Sequence, residues 1–223
     1  MTDLLPAAYA ALEPLCIRLE AILSAYSDGS DGSHDVHHSR RVLRTALKIG
    51  EGEGGSADST ILICAAYLHD LVNVPKNHPD RPRASALSAE AARPILVDLG
   101  IDGDRIEGAC HAIETHSFSA GKPPRTLEAK IIQDADRLEA LGAIGIARTF
   151  YIAGLMGSGL FDGGDPLATN RPLDDRSFAL DHFEVKLYRL AGTMQTEEGR
   201  HIAELRTEYM RSFVSQLVDE LRG

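Results

Sequence analysis

The chain has 223 residues, of which 43% are hydrophobic, and its 33 acidic and 23 basic side chains give a net charge of −10 with histidine neutral. A chain of this length can bury a sizeable core in one domain without cross-links. Because affinity for polyanions comes mainly from basic patches, the charge argues against nucleic-acid polymers and membranes as partners. A small anionic substrate is still compatible, since a bound metal can invert the field in one cleft.

The cysteine content and the N-terminus predict the compartment. Cys16, Cys64 and Cys110 lie far apart in apolar surroundings, and no CxxC pair occurs. An odd number of cysteines without a framework is typical of core thiols in a reducing environment. The first residues, MTDLLP, lack the basic region of a signal peptide, and no apolar run approaches membrane-spanning length. We therefore expect a cytoplasmic protein.

Hydrophobic periodicity predicts helices through the first third of the chain. Apolar residues recur at helical spacing over 4–23. A second helix is predicted from near Asp35, a plausible N-cap, to the glycine-rich stretch 51–55. A third helix opens at Asp58 or the serine after it and ends near Leu71.

The rest of the chain continues this helical pattern. After a proline-rich loop at 73–83, four helices are predicted over 85–99, 104–115, 126–141 and 142–155. Pro94 is expected to start, kink or break the first of them. The stretch 156–181 is long for a structureless connection, which is typical of a functional flap or a partner-contacting loop. An amphipathic helix is predicted over 196–221, and no alternating strand pattern is found. The predicted fold is all-α, in one domain.

Three polar clusters interrupt these apolar patterns. They are SHDVHHSRRV at 33–42, the pair His69-Asp70, and KIIQDADRLEALG at 130–142. An imidazole and a carboxylate side by side are costly to bury unless something pairs with them. Both are good ligands for divalent first-row metals, and bundles build metal sites from inward-projecting side chains on facing helices. The clusters therefore predict a metal site made of two histidines and two aspartates.

Spacing alone leaves two members of this set open. Either His37 or His38 can supply the first ligand, and either Asp134 or Asp136 can supply the last. Asp134 and Asp136 are two residues apart, so on a helix they point to different sides. Only one of the two is therefore expected to be a ligand, and the other to have a supporting or structural role.

The clusters carry a resemblance to a known family. HDVHHSRRV at 34–42, HD at 69–70 and DADRL at 134–138 resemble the motifs of the HD-domain superfamily of metal-dependent phosphohydrolases. Three further segments resemble the small stand-alone bacterial branch of this superfamily, of the YedJ and YpgQ type. They are LVNVPKNHP at 71–79, residues 133–145, and RPLDD at 171–175. The similarity extends from about residue 20 to about residue 215.

The resemblance implies an all-α fold, a compact helical bundle of the HD-domain type. It implies a single HD domain over 1–223, with the metal core at about 30–145. The glycine-rich loop 156–181 and the helices of 182–223 would form a family-specific extension.

The resemblance also implies the metal ligands, which are His38, His69, Asp70 and Asp136. It favours Mn²⁺, with Fe²⁺, Ni²⁺, Co²⁺, Zn²⁺ or Mg²⁺ as alternatives. Binuclear relatives carry two further histidines on separate elements, whereas His111 and His116 lie five residues apart on one predicted helix. This departure from the binuclear pattern favours one ion.

Four protein ligands leave positions for water and a substrate oxygen, so the expected reaction is hydrolysis at phosphorus. Cationic and proton-donating groups must converge on the phosphoryl oxygens as charge accumulates there. Substrate contacts are predicted for Lys76, His78, His111 and His116, and catalytic roles for Asp70, Lys76 and His111. The resemblance implies a nucleotide pyrophosphohydrolase that cleaves a (d)NTP to a (d)NMP and pyrophosphate.

Other functions remain as alternatives. One is a binuclear HD phosphodiesterase, phosphatase or oxygenase. Another is a non-catalytic sensor module that binds a nucleotide or a metal. In each case the expected partner is a small phosphorylated molecule, with a nucleotide favoured. The loop 156–181 and the amphipathic C-terminus point to either a homodimer or a lid.

Overall fold

The computed structural model of the chain describes residues 5–26, 36–72, 74, 80–117 and 120–223. The described residues form α-helices and no strand, so the predicted all-α fold class is confirmed. The helices are α1 Glu13–Tyr26, α2 Val36–Gly52, α3 Ser59–Leu68, α4 Ala84–Asp98, α5 Gly103–Thr115, α6 Leu127–Leu138, α7 Gly142–Met156, α8 Asp181–Val185 and α9 Glu197–Arg222.

The described residues also include shorter elements. Three 3-10 helices cover Ala7–Leu12, Arg81–Arg83 and Leu187–Thr193. An isolated bridge joins Gly159 to Phe178. Taken singly, none of the helices in these ranges is both long enough and apolar enough to cross a membrane, and α6 with α7 meets that test only as a pair.

The start of α3 is settled by its cap, and its end differs from the expectation. The Asp58 carboxylate accepts hydrogen bonds from the backbone N–H groups of Thr60 and Ile61, at 2.8 and 3.3 Å, so Asp58 is the N-cap. The helix ends at Leu68 rather than near Leu71. The Leu71 N–H bonds to the Leu68 carbonyl at 3.3 Å, which makes a tighter turn directly after the helix. Asp35, the expected cap of α2, lies outside the described residues.

Pro94 neither starts nor ends a helix, because α4 runs through it from Ala84 to Asp98. Proline has no N–H, so the carbonyl of Glu90, one turn earlier, loses its helical partner. Glu90 is exposed, and solvent can take over that hydrogen bond. An exposed face therefore tolerates a proline that a buried face would not.

The contacts within the chain define two compact units, residues 1–136 and 137–223. The single-domain organisation expected from the sequence stays a prediction. In the first unit α3 is the central helix, in contact with α1, α2, α4 and α5. Every residue from Leu62 to Leu68 is buried, as expected for a helix that is apolar on all sides. His69 follows directly, so the buried helix delivers an imidazole into the interior.

In the second unit α7 packs on α9, and α9 contacts the 3-10 helix Leu187–Thr193. Backbone hydrogen bonds join the two ends of the long connection before α8. The Gly159 N–H bonds to the Ser177 carbonyl and the Ala179 N–H bonds to the Gly159 carbonyl, both at 2.9 Å. The connection is therefore an organised segment, and its expected role as a flap or a partner-contacting loop stays a prediction.

An ion pair between Arg171 and Asp181 joins this segment to the first residue of α8. The Asp181 side chain, 1% exposed, accepts two hydrogen bonds from the Arg171 guanidinium, at 2.6 and 2.8 Å. The backbone N–H of Asp174 adds a third at 2.7 Å. A fully hydrogen-bonded carboxylate of this kind is costly to replace, because its removal leaves the Arg171 guanidinium, 18% exposed, with the weaker contact to Asp162 at 4.0 Å.

We expect Asp181→Asn to lower the free energy of unfolding by about 2–4 kcal/mol at pH 7. Arg171 holds the pKa of Asp181 below its ordinary value, even though burial raises it. A depressed pKa in the folded state gives stability that is complete above the unfolded-state pKa of about 3.9 and is lost as the pH falls through the folded-state pKa. Urea titrations at pH 7 and below pH 4 should therefore show a gap between wild type and variant that narrows in acid.

The exposed Asp219 provides the control for that measurement. Asp219→Asn should stay within about 0.5 kcal/mol of wild type at both pH values. A full-sized loss for Asp181→Asn that persisted in acid would contradict the role given to the ion pair.

Two glycines of α7 are expected to respond in opposite ways to the same substitution. A Cβ on Gly145 would lie 2.2 Å from the Ala140 carbonyl oxygen, whereas a Cβ on Gly154 would meet nothing within 4 Å. Gly145→Ala should destabilise the protein by more than about 2 kcal/mol, because backbone has to move. Gly154→Ala should be neutral or stabilising by up to about 1 kcal/mol through helix propensity. Equal urea midpoints for the two variants would show that the close approach at Gly145 is absent.

Candidate metal centre

Five side chains with metal-binding atoms converge in the first unit. His38 comes from α2, and Asp136 comes from α6. His69 and Asp70 directly follow α3, and His116 directly follows α5. They form two groups of three that could hold a metal ion, His38 with His69 and Asp136, and His69 with Asp70 and His116. His69 belongs to both groups.

The first group has the spacing of ligands around one ion. His38 Nε2 lies 3.2 Å from His69 Nε2 and 3.5 Å from Asp136 Oδ1. His69 Nε2 lies 3.8 Å from Asp136 Oδ1. Ligand atoms about 2.1 Å from a shared ion are about 3.0 Å apart at a right angle and about 3.4 Å apart at a tetrahedral angle. The donors therefore fit a first-row divalent ion with only small adjustments.

Asp70 joins the first group to His116. Its Oδ2 atom lies 3.4 Å from His69 Nε2, and its Oδ1 atom lies 3.5 Å from His116 Nε2. The two oxygens of one carboxylate thus face two different imidazoles. Such a carboxylate can serve one ion together with His69, or lie between two adjacent positions.

Backbone carbonyls set the tautomers of two of these rings. His69 Nδ1 lies 2.9 Å from the Ala66 carbonyl oxygen, and His116 Nδ1 lies 2.7 Å from the Ile113 carbonyl oxygen. A carbonyl oxygen can only accept, so each Nδ1 must carry the proton and donate it. In a neutral ring the lone pair then lies on Nε2, the atom that faces the cluster, as metal-binding histidines require.

The cluster is buried on its imidazole side and open on its carboxylate side. His38, His69 and His116 are at most 5% exposed, whereas the side chains of Asp70 and Asp136 are 33% and 29% exposed. Burial lowers the pKa of His69, but the two carboxylates raise it by more, to about 9. The cluster therefore stabilises positive charge at a position that solvent can reach past the carboxylates.

A buried glutamine supports two of the ligand-bearing elements. Gln133 donates its side-chain N–H to the carbonyl of Thr115 at 2.7 Å, and Thr115 directly precedes His116. Gln133 lies three residues before Asp136, on the same face of α6. The bond ties the end of α5 to the helix that carries Asp136. Gln133 carries no local signal of a supporting role in the sequence, because its partner Thr115 lies 18 residues away and no helical period connects the two.

The four ligands named from the sequence lie close together. His38 is buried in the cluster and His37 is exposed. Asp134 is fully buried but belongs to neither of the groups formed by the described residues. His116, named as a substrate contact, lies among the candidate ligands. The roles of all these residues stay predictions.

The remaining predicted substrate contacts either belong to neither donor group or lie outside the described residues. Lys76 and His78 belong to the segment that the structure does not describe. His111 Nε2 accepts the backbone N–H of Arg125 at 3.0 Å, and His111 is in neither metal group. Burial and, less strongly, the charge of Arg125 lower the pKa of His111. The catalytic and substrate-binding roles of these three residues stay predictions.

Comparison with known proteins identifies the family. A family model described as HD domain matches residues 35–141, which include all five donors of the cluster. The uncharacterized protein YpgQ of Bacillus subtilis (strain 168) is 38% identical over 206 residues, which cover 91% of this chain and 91% of YpgQ.

Solved structures agree with this match. A crystal structure of a HD-superfamily hydrolase from Bacillus thuringiensis has a TM-score of 0.74 at 28% identity, covering 95% of this chain and 98% of that one. The crystal structure of Bacillus subtilis YpgQ in complex with ADP has a TM-score of 0.70 at 34% identity, covering 93% and 95% of the two chains. The chain therefore belongs to the HD-domain superfamily, in the branch that includes YpgQ, and it is an HD-superfamily hydrolase.

Proposed function

We propose that the protein is a metal-dependent nucleotide pyrophosphohydrolase that cleaves a (d)NTP to a (d)NMP and pyrophosphate. The observation that carries the proposal is the cluster of three imidazoles and two carboxylates, with donor atoms 3.2 to 3.8 Å apart and one open side. A hydrolase must activate water, and a bound divalent ion does so by lowering the pKa of the water that it binds. This cluster has the donor types and the spacing for that task.

His38, His69, Asp70 and Asp136 would hold one divalent ion. Imidazole nitrogen and carboxylate oxygen together suit Mn²⁺, Fe²⁺, Co²⁺, Ni²⁺ and Zn²⁺, and the family resemblance favours Mn²⁺. When bound, such an ion polarises a phosphoryl oxygen and activates water as a nucleophile. The fixed tautomers of His69 and His116 mean that no ring has to turn before a cation is accepted.

The rest of the reaction depends on the chain's own side chains. The oxygen of water forms a bond to the α-phosphorus, the bond from that phosphorus to the bridging oxygen breaks, and pyrophosphate leaves with the electron pair. The proton of water needs an acceptor, and we assign this role to Asp70, because its carboxylate is 33% exposed and lies among the donor atoms of the cluster. Lys76, His78, His111 and His116 remain our candidates for contacts to the phosphates.

A nucleotide is the favoured substrate on two grounds. The relative YpgQ was crystallised in complex with ADP. In addition, the net charge of −10 favours a small phosphorylated molecule over a polymeric one, because a polymer would meet repulsion over a wide surface. The open carboxylate side of the cluster is then the side from which a polyphosphate would approach an ion.

The second donor group favours one alternative, a centre with two ions. His69, Asp70 and His116 form that group, and Asp70 faces His69 and His116 with different oxygens. An enzyme with two ions would be suited to phosphodiester or phosphomonoester hydrolysis by a clamp on the attacking and leaving oxygens.

The experiment that tests the proposed function is a substrate screen with product identification. The protein is stripped with chelator, reloaded with Mn²⁺, and incubated with nucleoside triphosphates, diphosphates, monophosphates and cyclic dinucleotides. We expect pyrophosphate and nucleoside monophosphate in equal amounts by ³¹P NMR, and no release by the Asp70→Asn variant. Orthophosphate as the first product would favour a phosphatase, and tight binding of one nucleotide without turnover would favour a sensor.

A further inference from the structure

A carboxylate on α1, outside the cluster, joins two of the helices that carry candidate ligands. Glu20 accepts two hydrogen bonds from Arg40 of α2, from Nε at 2.6 Å and from Nη2 at 2.7 Å. It accepts a third from the Tyr67 hydroxyl of α3 at 2.7 Å. The Glu20 side chain is 14% exposed and Tyr67 is 2% exposed. Hydrogen bonds to a charged acceptor in such a shielded place are strong and directional.

The partners of Glu20 are each two residues from a candidate ligand. Arg40 follows His38 on α2, and Tyr67 precedes His69 at the end of α3. His69 keeps helical backbone angles, with φ −61° and ψ −35°. Because 3.6 residues make one helical turn, residues two apart point about 200° away from each other around the axis. A bond that holds Arg40 and Tyr67 toward α1 therefore turns His38 and His69 away from α1, toward each other.

Apolar packing restricts this rotation, and the hydrogen bonds of Glu20 add a directional constraint to it. Cys16 and Leu19 of α1 are fully buried, and α1 contacts both α2 and α3. Such contacts set how closely the helices approach and limit how far they can turn, although the hydrophobic effect itself has no direction. The three hydrogen bonds of Glu20 are directional, and a helix that turned about its axis would break them. The three bonds therefore act as a clamp on α2 and α3. The Nε2 atoms of His38 and His69, which these two helices position, lie 3.2 Å apart.

We propose that Glu20 is a positioning residue for the metal centre, acting through Arg40 on His38 and through Tyr67 on His69. The inference rests on the metal site of the proposed function. With the clamp in place, the two imidazoles are held at ligand spacing before an ion arrives. Without it, binding an ion must also align two helices, so the affinity for the ion falls.

The test is a Mn²⁺ titration of the chelator-stripped full chain by isothermal calorimetry. Glu20→Ala is expected to raise the Kd for Mn²⁺ by about 10-fold, the lower end of the range for losing a direct hydrogen-bond partner of a metal ligand, because Glu20 acts through Arg40 and Tyr67. Glu20→Gln keeps the size of the side chain and one acceptor oxygen, and should have an intermediate Kd. Tyr67→Phe removes a single bond of the clamp and should raise the Kd by a smaller factor than Glu20→Ala.

The matched control is Glu107→Ala. Glu107 also receives a bidentate hydrogen bond from an arginine, Arg93, and that pair also links two helices, α4 and α5, but it is exposed. Its replacement should leave the Kd for Mn²⁺ unchanged. A general loss of stability is separated from a loss of positioning by measuring each Kd below the onset of unfolding of the metal-free variant.

Three results distinguish the possible failures. If folded Glu20→Ala binds Mn²⁺ with the Kd of wild type, the positioning role is overturned and the metal site is retained. If Glu20→Ala does not fold, Glu20→Gln and Tyr67→Phe replace it, and a wild-type Kd in both overturns the role. If wild type itself takes up neither Mn²⁺ nor Co²⁺ nor Zn²⁺, the metal site and the positioning role fall together.

Discussion

Replacing His69 by alanine should abolish both metal uptake and hydrolysis. His69 is the member common to both donor groups, and its Nε2 atom lies within 4 Å of His38, Asp70 and Asp136. Among the described residues, no group of three donors survives its removal. A catalytic ion contributes several kcal/mol to the transition state, and each 1.4 kcal/mol or so is a factor of ten, so turnover should fall at least about a thousandfold. Metal content by mass spectrometry and pyrophosphate release are the two measurements.

The control for this experiment is an exposed histidine on α9, His201. His201→Ala should retain the metal content and the turnover of wild type. Because His69 is fully buried, thermal unfolding of the metal-free proteins is needed to exclude simple loss of the fold. A folded His69→Ala protein that still carried one ion per chain at wild-type turnover would rule out the cluster as the catalytic centre.

Much of this cluster can be predicted from the sequence, because the patterns that mark its residues are local. His69-Asp70 follows a run of buried residues, and a polar pair at the end of an apolar helix is conspicuous in the sequence. His37 and His38 are adjacent, so spacing alone does not distinguish them. The family motif selects His38. The structure separates them by burial, which only the packing of α2 decides.

His116 shows where local spacing is insufficient. Five residues separate it from His111, and on an uninterrupted helix the two would point about 140° apart, so the spacing does not mark them as a pair. The helix α5 ends at Thr115, and the hydrogen bonds around that end orient His116 toward Asp70. His111 instead accepts a backbone N–H from the connection that precedes α6. Helix ends are the least certain part of a sequence-based assignment, so the orientation of His116 toward Asp70 was not predictable.

The contacts made by Glu20 and Gln133 could not be predicted from local sequence patterns, for another reason. Glu20 lies 20 residues from Arg40 and 47 residues from Tyr67, and Gln133 lies 18 residues from Thr115. None of these separations follows from a helical or strand period. Each residue type is also ordinary at its position, since a glutamate on a surface-facing helix is usually solvated. Only tertiary packing brings such partners together, and a single sequence carries no record of it.

The number of ions follows from the different effects expected for Asp136→Ala and His116→Ala. Asp136 belongs only to the first group and His116 only to the second. With one ion held by the first group and Asp70, Asp136→Ala should lose the ion and at least about a thousandfold in turnover. His116→Ala should keep one ion per chain and lose about a hundredfold, the size of effect expected for a proton-transfer or phosphate contact.

A centre with two ions predicts a different outcome for the same pair of variants. Wild type would then carry two ions per chain, and His116→Ala would carry one. Ion counts by mass spectrometry after gel filtration in Mn²⁺-free buffer separate the two cases, and they do so without reference to any substrate. Because Asp70 faces both His69 and His116, Asp70→Ala should be more damaging than His116→Ala in either case. An equal ion count and an equal turnover for those two variants would mean that Asp70 contributes nothing beyond its contact with His116, and would contradict its role as a ligand together with His69.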